Sequence, residues 1–302
     1  MKSYCGKAFV SNDNEMFKEF NIVGNPANIY IIDDDENITQ EEKCNIGVRD
    51  GKNDIPMAVF VKKVKNTDNC FDISYYQPSG IQAYICGHGT LIASKILHDV
   101  YNLNNINFYY DLGVYDIRGG DKPKNNLIEA SVDDTGKVML KMDSYHYELI
   151  DKYDENINNL IYLLDIKKDD IVDVIKGIEF FDLTFVLKSC ECLRTRKPQF
   201  KKMIPILKEM NIRNVCFTAQ SDLEKFDFES RVFCPHDDLD EDKVCGSSNL
   251  TITKYWNNKI HKNEFQILFP YRMMSEEKLI GGVQYTKIMN DIIYIGGYCS
   301  NY

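Results

Sequence analysis

The sequence predicts an α/β chain built of two similar halves, and a duplicated segment is the main reason. Ile-Cys-Gly-His-Gly-Thr-Leu-Ile-Ala-Ser-Lys-Ile-Leu (85–97) and Val-Cys-Gly-Ser-Ser-Asn-Leu-Thr-Ile-Thr-Lys-Tyr-Trp (244–256) carry Cys86/Cys245, Gly87/Gly246, Leu91/Leu250 and Lys95/Lys254 at identical offsets. An aromatic, strand-like run with a proline precedes each, Asp72–Pro78 and Asp227–Pro235. Strand-like and helix-like segments alternate along the rest of the chain.

In chain order, Asn28–Ile32, Met57–Val64, Asp72–Tyr76 and Ile106–Ile117 read as strands, rich in β-branched and aromatic residues between polar turns. Leu91, Ile92, Ile96, Leu97, Val100 and Leu103 recur at helical spacing, so a helix with one apolar face follows Cys86. The polar, glycine- and proline-punctuated stretch 119–126 is the best linker. Strands restart at Leu127–Val132 and Lys137–Met142. Helices are expected at Ile157–Leu164 and Gln199–Met210, and strands at Phe180–Leu187 and Asn214–Thr218. Beyond the Cys245 segment, closing strands fall near Glu264–Pro270, Val283–Met289 and Ile292–Ile295. The expected division is residues 1–125 and 126–302. A last strand returning to the first half is compatible with it but not readable from pattern.

The 302 residues are enough for two domains of ordinary size. A net charge of −10 argues against a nucleic-acid partner, which needs clustered Lys and Arg. There is no basic start followed by an apolar stretch and no apolar run of spanning length, so neither a secretory signal nor a membrane helix is expected. Ten cysteines in this length lack the density of a secreted disulfide scaffold, and a cytoplasmic, reduced protein is expected. Cys190-x-Cys192 has no second ligand pair at metal-site spacing, so no metal site is expected.

The chemistry points to the two Cys-Gly segments. Each cysteine precedes a helix, where unpaired N–H groups and the macrodipole favour an anion and should lower the thiol pKa. Gly87 and Gly246 let a ligand approach those N–H groups. Thr90 on one side, and Ser247, Ser248 and Asn249 on the other, add donors for a substrate carboxylate. Two thiols facing each other across one cleft could remove a proton from one face of a carbon and return it to the other. Donors fixed around the carboxylate would stabilise the charge that develops.

These residues resemble a known family. Phe20-Asn21-Ile22-Val23-Gly24-Asn25-Pro26-Ala27-Asn28 is similar to the Gly-Asn-Pro-Ala opening of the PhzF-like, phenazine-biosynthesis-like isomerases, and Cys86-Gly87-His88-Gly89-Thr90-Leu91 to their Gly-His-Ala-Thr-Leu motif. Arg231-Val232-Phe233-Cys234-Pro235 and Glu241-Asp242-Lys243-Val244-Cys245-Gly246-Ser247 resemble their Arg-x-Phe-x-Pro and Glu-Asp-Pro-x-Thr-Gly-Ser signatures. The family sits with diaminopimelate epimerase and proline racemase. The resemblance therefore implies two pseudo-symmetric halves, each a β-barrel-like sheet around a central helix. It also implies a cofactor-free reaction between the halves, and commonly a homodimer.

Two departures stand out. Met57 falls where the family's Ser-Glu-Thr-x-Phe-Val motif carries its glutamate base, and Cys245 replaces the threonine before the second Gly-Ser. A cysteine thus appears where the racemases have theirs. The leading reading is a cofactor-independent amino-acid racemase or epimerase with Cys86 and Cys245 as the acid/base pair. Asn25, Gly87, His88, Gly89, Thr90, Asp242, Gly246, Ser247 and Ser248 would then line a substrate site. A second reading is a PhzF-type isomerase of a small carboxylic acid that uses Asp242 and His88. A third is a catalytically silent binding or thiol-redox member.

Overall fold

The computed structural model describes residues 1–12, 21–111, 126–143, 145–237, 239–272 and 279–300. They fall into two compact units. Unit 1 is Met1–Asn12, Val23–Met142 and Tyr294–Tyr302; unit 2 is Asp13–Ile22 and Asp143–Ile293.

The chain opens with β1 (Lys2–Val10), contributes β2 (Asn21–Ile22) to unit 2, and returns with β3 (Asn25–Ile32). Helix α1 (Gln40–Gly51) follows, then β4 (Ala58–Lys63), β5 (Cys70–Tyr76), the short β6 (Gln82–Ala83) and α2 (Gly87–Tyr101). Strands β7 (Asn105–Tyr110), β8 (Leu127–Val132) and β9 (Val138–Met142) complete this stretch. Pairing runs β1–β3–β4–β5–β7–β8–β9. The chain's final strand, β18 (Ile292–Cys299), bonds both β9 and β1 and closes an eight-stranded barrel. Closure leaves no free edge.

Helix α2 lies inside this barrel, touching β1, β3, β4, β8 and β9. Leu91, Ile92, Ala93, Ser94, Ile96 and Leu97 are all buried. Gly6 is required on β1 because a Cβ there would sit 2.8 Å from Ile92 Cγ2. Outside the barrel, α1 packs on Tyr30, Phe60 and Tyr76 through Cys44 and Ile46. Its start is a capping box: Thr39 Oγ1 accepts from Glu42 N at 3.2 Å, and Glu42 Oε2 accepts from Thr39 N at 2.7 Å.

Unit 2 repeats the plan. Its elements are β10 (Tyr147–Leu149), α3 (Glu155–Leu163), β11 (Ile171–Gly177), β12 (Leu183–Leu187), α4 (Cys190–Thr195) and α5 (Phe200–Glu209). Next come β13 (Val215–Gln220), β14 (Phe228–Cys234), β15 (Leu239–Asp242), α6 (Ser248–Ile260), β16 (Glu264–Arg272) and β17 (Leu279–Met289). The sheet runs β10–β11–β12–β13–β14–β16–β17–β2. Its parallel and antiparallel steps from β12 to β17 match those from β3 to β8 in unit 1. The buried helix α6 is unusually polar, and strand side chains answer several of its polar groups. Asn249 Nδ2 donates to Gln284 Oε1 at 2.6 Å, Ser230 Oγ donates to Asn249 Oδ1 at 3.0 Å, and Trp256 Nε1 donates to Thr218 Oγ1 at 2.8 Å. An apolar core of Ile157, Leu160, Phe185, Leu193, Met203 and Phe217 lies beneath α3, α4 and α5.

The boundary expected at 125/126 is displaced. Strands β8 and β9 pair with β7 and β18, so residues 127–142 complete the first barrel rather than open the second unit. A polar turn precedes a returning hairpin as readily as a new domain, which is why composition placed the border too early. Most of the linker 119–126, and the expected strand beyond residue 111, lie outside the described residues; Asn126 directly precedes β8. Helix α1 and strands β1, β10 and β11 were not read from the sequence. Among the described residues no helix is long and apolar enough to cross a membrane.

Replacing Thr39 with alanine removes half of the capping box. The expected loss is about 1 kcal/mol, read as a lowered urea midpoint at unchanged m-value.

Candidate active site

The two cysteines are equivalent by strand register as well as by motif. Tyr75 of β5 faces Ala83, and Cys86 follows; Val232 of β14 faces Asp242, and Cys245 follows at the same offset. Each helix then ends on a left-handed residue at the same distance from its cysteine. These are Asn102 (φ 56°) and His261 (φ 52°), whose N–H groups bond His98 O at 2.8 Å and Asn257 O at 3.0 Å. Ahead of each segment, Asn28 N bonds Met57 O at 3.0 Å and Leu183 N bonds Asn214 O at 2.9 Å, so Met57 and Asn214 are equivalents too.

In unit 1, Cys86 is the N-cap residue of α2, in extended conformation (φ −140°, ψ 103°). Its Sγ lies 3.3 Å from His88 Nδ1 and 3.7 Å from Nε2, a thiol–imidazole contact suited to proton exchange. Thr90 is fully buried and holds the loop: its hydroxyl donates to Cys86 O at 2.8 Å and lies 2.7 Å from the Tyr75 hydroxyl. Thr90 therefore positions the cysteine rather than facing a ligand. Gly89 is required, since a Cβ there would sit 2.7 Å from Val59 Cγ2 and 3.3 Å from Cys86 Sγ. At Gly87 a Cβ would meet nothing within 4 Å among the described residues, so the space beside that backbone is open. Asn25 is buried at the start of β3, opposite Ala8. Met57 is buried just before β4, and its thioether offers no exchangeable proton.

In unit 2, Cys245 is buried, with Sγ 3.4 Å from Ser248 Oγ and 3.7 Å from Ser247 Oγ. Arg213, just before β13, organises this group. It makes a two-pronged contact with buried Asp182, Nε to Oδ1 at 2.8 Å and Nη2 to Oδ2 at 2.6 Å. Nη2 also donates to Ser247 Oγ at 3.0 Å, and the guanidinium lies 4.4 Å over the Phe180 ring. Burial works against the charged guanidinium, but Asp182 more than offsets it and keeps Arg213 firmly protonated. Asn214 Nδ2 donates to Ser248 Oγ at 3.4 Å, while its buried Oδ1 has no hydrogen-bond partner among the described residues. Sequence reading missed Arg213, Asp182 and Asn214. No local motif marks them, and Arg213 meets its partners across separations of 31 and 34 residues.

The thiol expected to be acidified at the second site is instead weakened. Burial pushes Cys245 up to about 11, and Asp242 adds to the rise, while Arg213 pulls the other way. The helix itself starts only at Ser248, so Cys245 stands ahead of the cap, away from the strongest part of the dipole. Asp242 Oδ1 accepts from Val244 N at 3.3 Å, which ties it to this turn, and Gly246 O accepts from Asn249 N at 3.2 Å. Asn25, Cys86, Gly87, His88, Gly89 and Thr90 thus belong to unit 1. Asp242, Cys245, Gly246, Ser247 and Ser248 belong to unit 2.

Cys190, Asp222 and Glu229 place ligand atoms within 4.8 Å of one another. Arg194 already bonds both acids, Nη2 to Asp222 Oδ1 at 2.7 Å and Nε to Glu229 Oε2 at 2.8 Å. This is an ion-pair network with its cation built in, a poor host for a metal.

The raised thiol has a consequence for stability. An unfolded cysteine of ordinary pKa 9.0 ionises while folded Cys245 keeps its proton to about 11. Stability is therefore full below pH 9 and falls as pH rises through that window, by about 2–3 kcal/mol from this group. Urea titrations from pH 8 upward should show the fall, and Cys245→Ser should reduce it.

The phenazine biosynthesis-like (PhzC-PhzF) family profile matches residues 15–277. An uncharacterised isomerase of Halalkalibacterium halodurans is 24% identical over 230 residues, 75% of this chain and 74% of that protein. Among solved structures, a phenazine-biosynthesis PhzC/PhzF protein from Clostridium difficile superposes with a TM-score of 0.73 at 22% identity, covering 99% of this chain and 96% of its own. A predicted epimerase from Pseudomonas aeruginosa gives 0.66 at 13% identity, covering 99% and 95%. The profile spans most of the sequence, and the two sheet-and-helix units agree with it: the chain belongs to the phenazine biosynthesis-like family.

Proposed function

We propose that the chain is a cofactor-independent isomerase that moves a proton at a carbon next to a carboxylate, with an amino acid as the preferred substrate class. Cys86 and Cys245 are the acid/base pair in this reading. The observation that carries it is their equivalence in register, motif offset and helix end, because duplication places one thiol at the same point of each half. The names of the relatives, an uncharacterised isomerase and a predicted epimerase, agree with the reaction class.

The two thiols differ in readiness. Cys86 has His88 within hydrogen-bond reach and can pass its proton to the imidazole, which makes it the base of the resting enzyme. Cys245 holds its proton at neutral pH and is the acid. Removal of the Cα proton by the Cys86 thiolate, with delivery from Cys245 to the opposite face, inverts the centre and leaves Cys86 protonated and Cys245 ionised. Arg213, held by Asp182, lies beside the Cys245 group and stabilises the thiolate formed there. Ser247 and Ser248 supply donors for the substrate carboxylate, which becomes electron-rich as the proton leaves.

A second reading rests on Asp242 and His88 as proton handlers. The high pKa of Cys245 is the observation in its favour, since a buried neutral thiol is also what an inert cysteine looks like.

Pooled amino acids in D₂O should acquire Cα deuterium with the native protein. Cys86→Ser and Cys245→Ser should each lower the rate by about 10²-fold or more, with circular dichroism unchanged. Native rates in both variants would move the chemistry to Asp242 and His88, and no exchange in any substrate would leave the binding or thiol-redox reading. Mild oxidation of the free protein should yield a Cys86–Cys245 crosslink that reductant reverses. A Cys234–Cys245 crosslink instead would point to a regulatory or structural thiol pair and count against the catalytic assignment.

The pH profile follows from the thiols. Activity should persist to about pH 10 and fall above about 11, where Cys245 loses the proton it must donate. A rate that falls before pH 9 at constant fold would remove Cys245 from the acid role.

A further inference from the structure

The outer face of unit 1 holds a cavity of about 530 Å³, within the range of small-molecule sites. Strand alternation separates it from the cysteine segment. Val59 and Tyr75 point inward to α2, where Val59 would meet a Cβ on Gly89 and Tyr75 bonds Thr90. Phe60, Lys62, Ser74 and Tyr76 therefore point the other way, and all four line the cavity together with Lys43 of α1.

Its polar groups are mismatched with one another. Lys43 is half-buried, 3.3 Å from Ser74 Oγ and 5.6 Å from the Phe60 ring centroid. Lys62 bonds Glu36 O at 2.5 Å and Asn37 Oδ1 at 3.2 Å. Neither ammonium has an ion pair among the described residues. Burial depresses the Lys43 pKa, and the nearby acid Asp72 only partly opposes this. Gln82 accepts from the Tyr76 hydroxyl at 3.0 Å, which leaves its amide N–H groups as donors. Asp72 and Asp111 also line the cavity, Asp72 being exposed. A partly desolvated ammonium that makes no direct ion pair among the described residues is costly, and an anion seated against it would offset more of that cost than exposed Asp72 does. The aromatic wall of Phe60, Tyr76 and Tyr109 favours a flat apolar body on that anion.

We infer that this cavity is a binding site for a small aromatic carboxylate, its carboxylate held by Lys43, Lys62 and Gln82 and its ring against Phe60, Tyr76 and Tyr109. The site is independent of the proposed isomerase chemistry.

Benzoate is the probe, titrated by calorimetry and by NMR, with inorganic phosphate as the ringless anion and benzylammonium as the charge-reversed ring. Saturable benzoate binding is expected, weakened about tenfold or more by Lys43→Gln and retained by Lys43→Arg. It should be unchanged in a Cys86→Ser/Cys245→Ser double variant, and Lys43→Gln should leave deuterium exchange at Cα unchanged. Absence of saturable binding overturns the proposal. So does phosphate or benzylammonium binding as tightly as benzoate, or benzoate affinity that follows the cysteines and ignores Lys43.

Discussion

A helix enclosed by its own sheet has no free side, so only its ends can meet a ligand. That constraint shapes both units. In unit 1, Leu91, Ile92, Ala93, Ser94, Ile96 and Leu97 are buried against the barrel wall, and the loop carrying Cys86 and His88 lies at the helix end. In unit 2 the enclosed helix is polar, and Asn249, Thr253 and Trp256 are each bonded to a strand residue. Those bonds fix the rotation and height of the helix as apolar contacts alone would not, since apolar packing is non-directional while hydrogen bonds have defined geometry. The thiols stand at equivalent points because each is tied to a strand register on one side and a helix start on the other.

Equivalence of position has not meant equivalence of environment. Cys86 meets an imidazole; Cys245 meets two hydroxyls and feels the opposing charges of Asp242 and Arg213. The first setting places a ring nitrogen within hydrogen-bond reach of the thiol. In the second, desolvation outweighs the attraction of Arg213. In the reading proposed above, such a difference would divide one acid/base task between Cys86 as base and Cys245 as acid. Arg213 and Asp182 are central to the second setting, because removing either would leave a buried charge without its counterpart.

The resemblance to the PhzF-like proteins was legible in short motifs, and the family profile and the barrel-and-helix plan agree with it. Local signals marked most strands and the helix after Cys86 correctly. Helix α1 was overlooked although Thr39 and Glu42 carry its capping box in plain view; its apolar face is too interrupted by charge to stand out by periodicity. The border between halves was misplaced because strand pairing between β7, β8, β9 and β18 is a long-range choice that a polar turn does not encode.

What the sequence determined by itself is the duplication, the family and the placing of one cysteine at the same offset in each repeat, since all three reside in contiguous motifs. Tertiary structure alone decided the acidity of Cys245, the partnership of Arg213 with Asp182 and Ser247, and the outer cavity that gathers Lys43 and Lys62 against an aromatic wall. These depend on desolvation and on side chains brought together from distant strands. Helix-start position predicts a lower thiol pKa only while solvent is near, and burial of Cys245 reverses the sign.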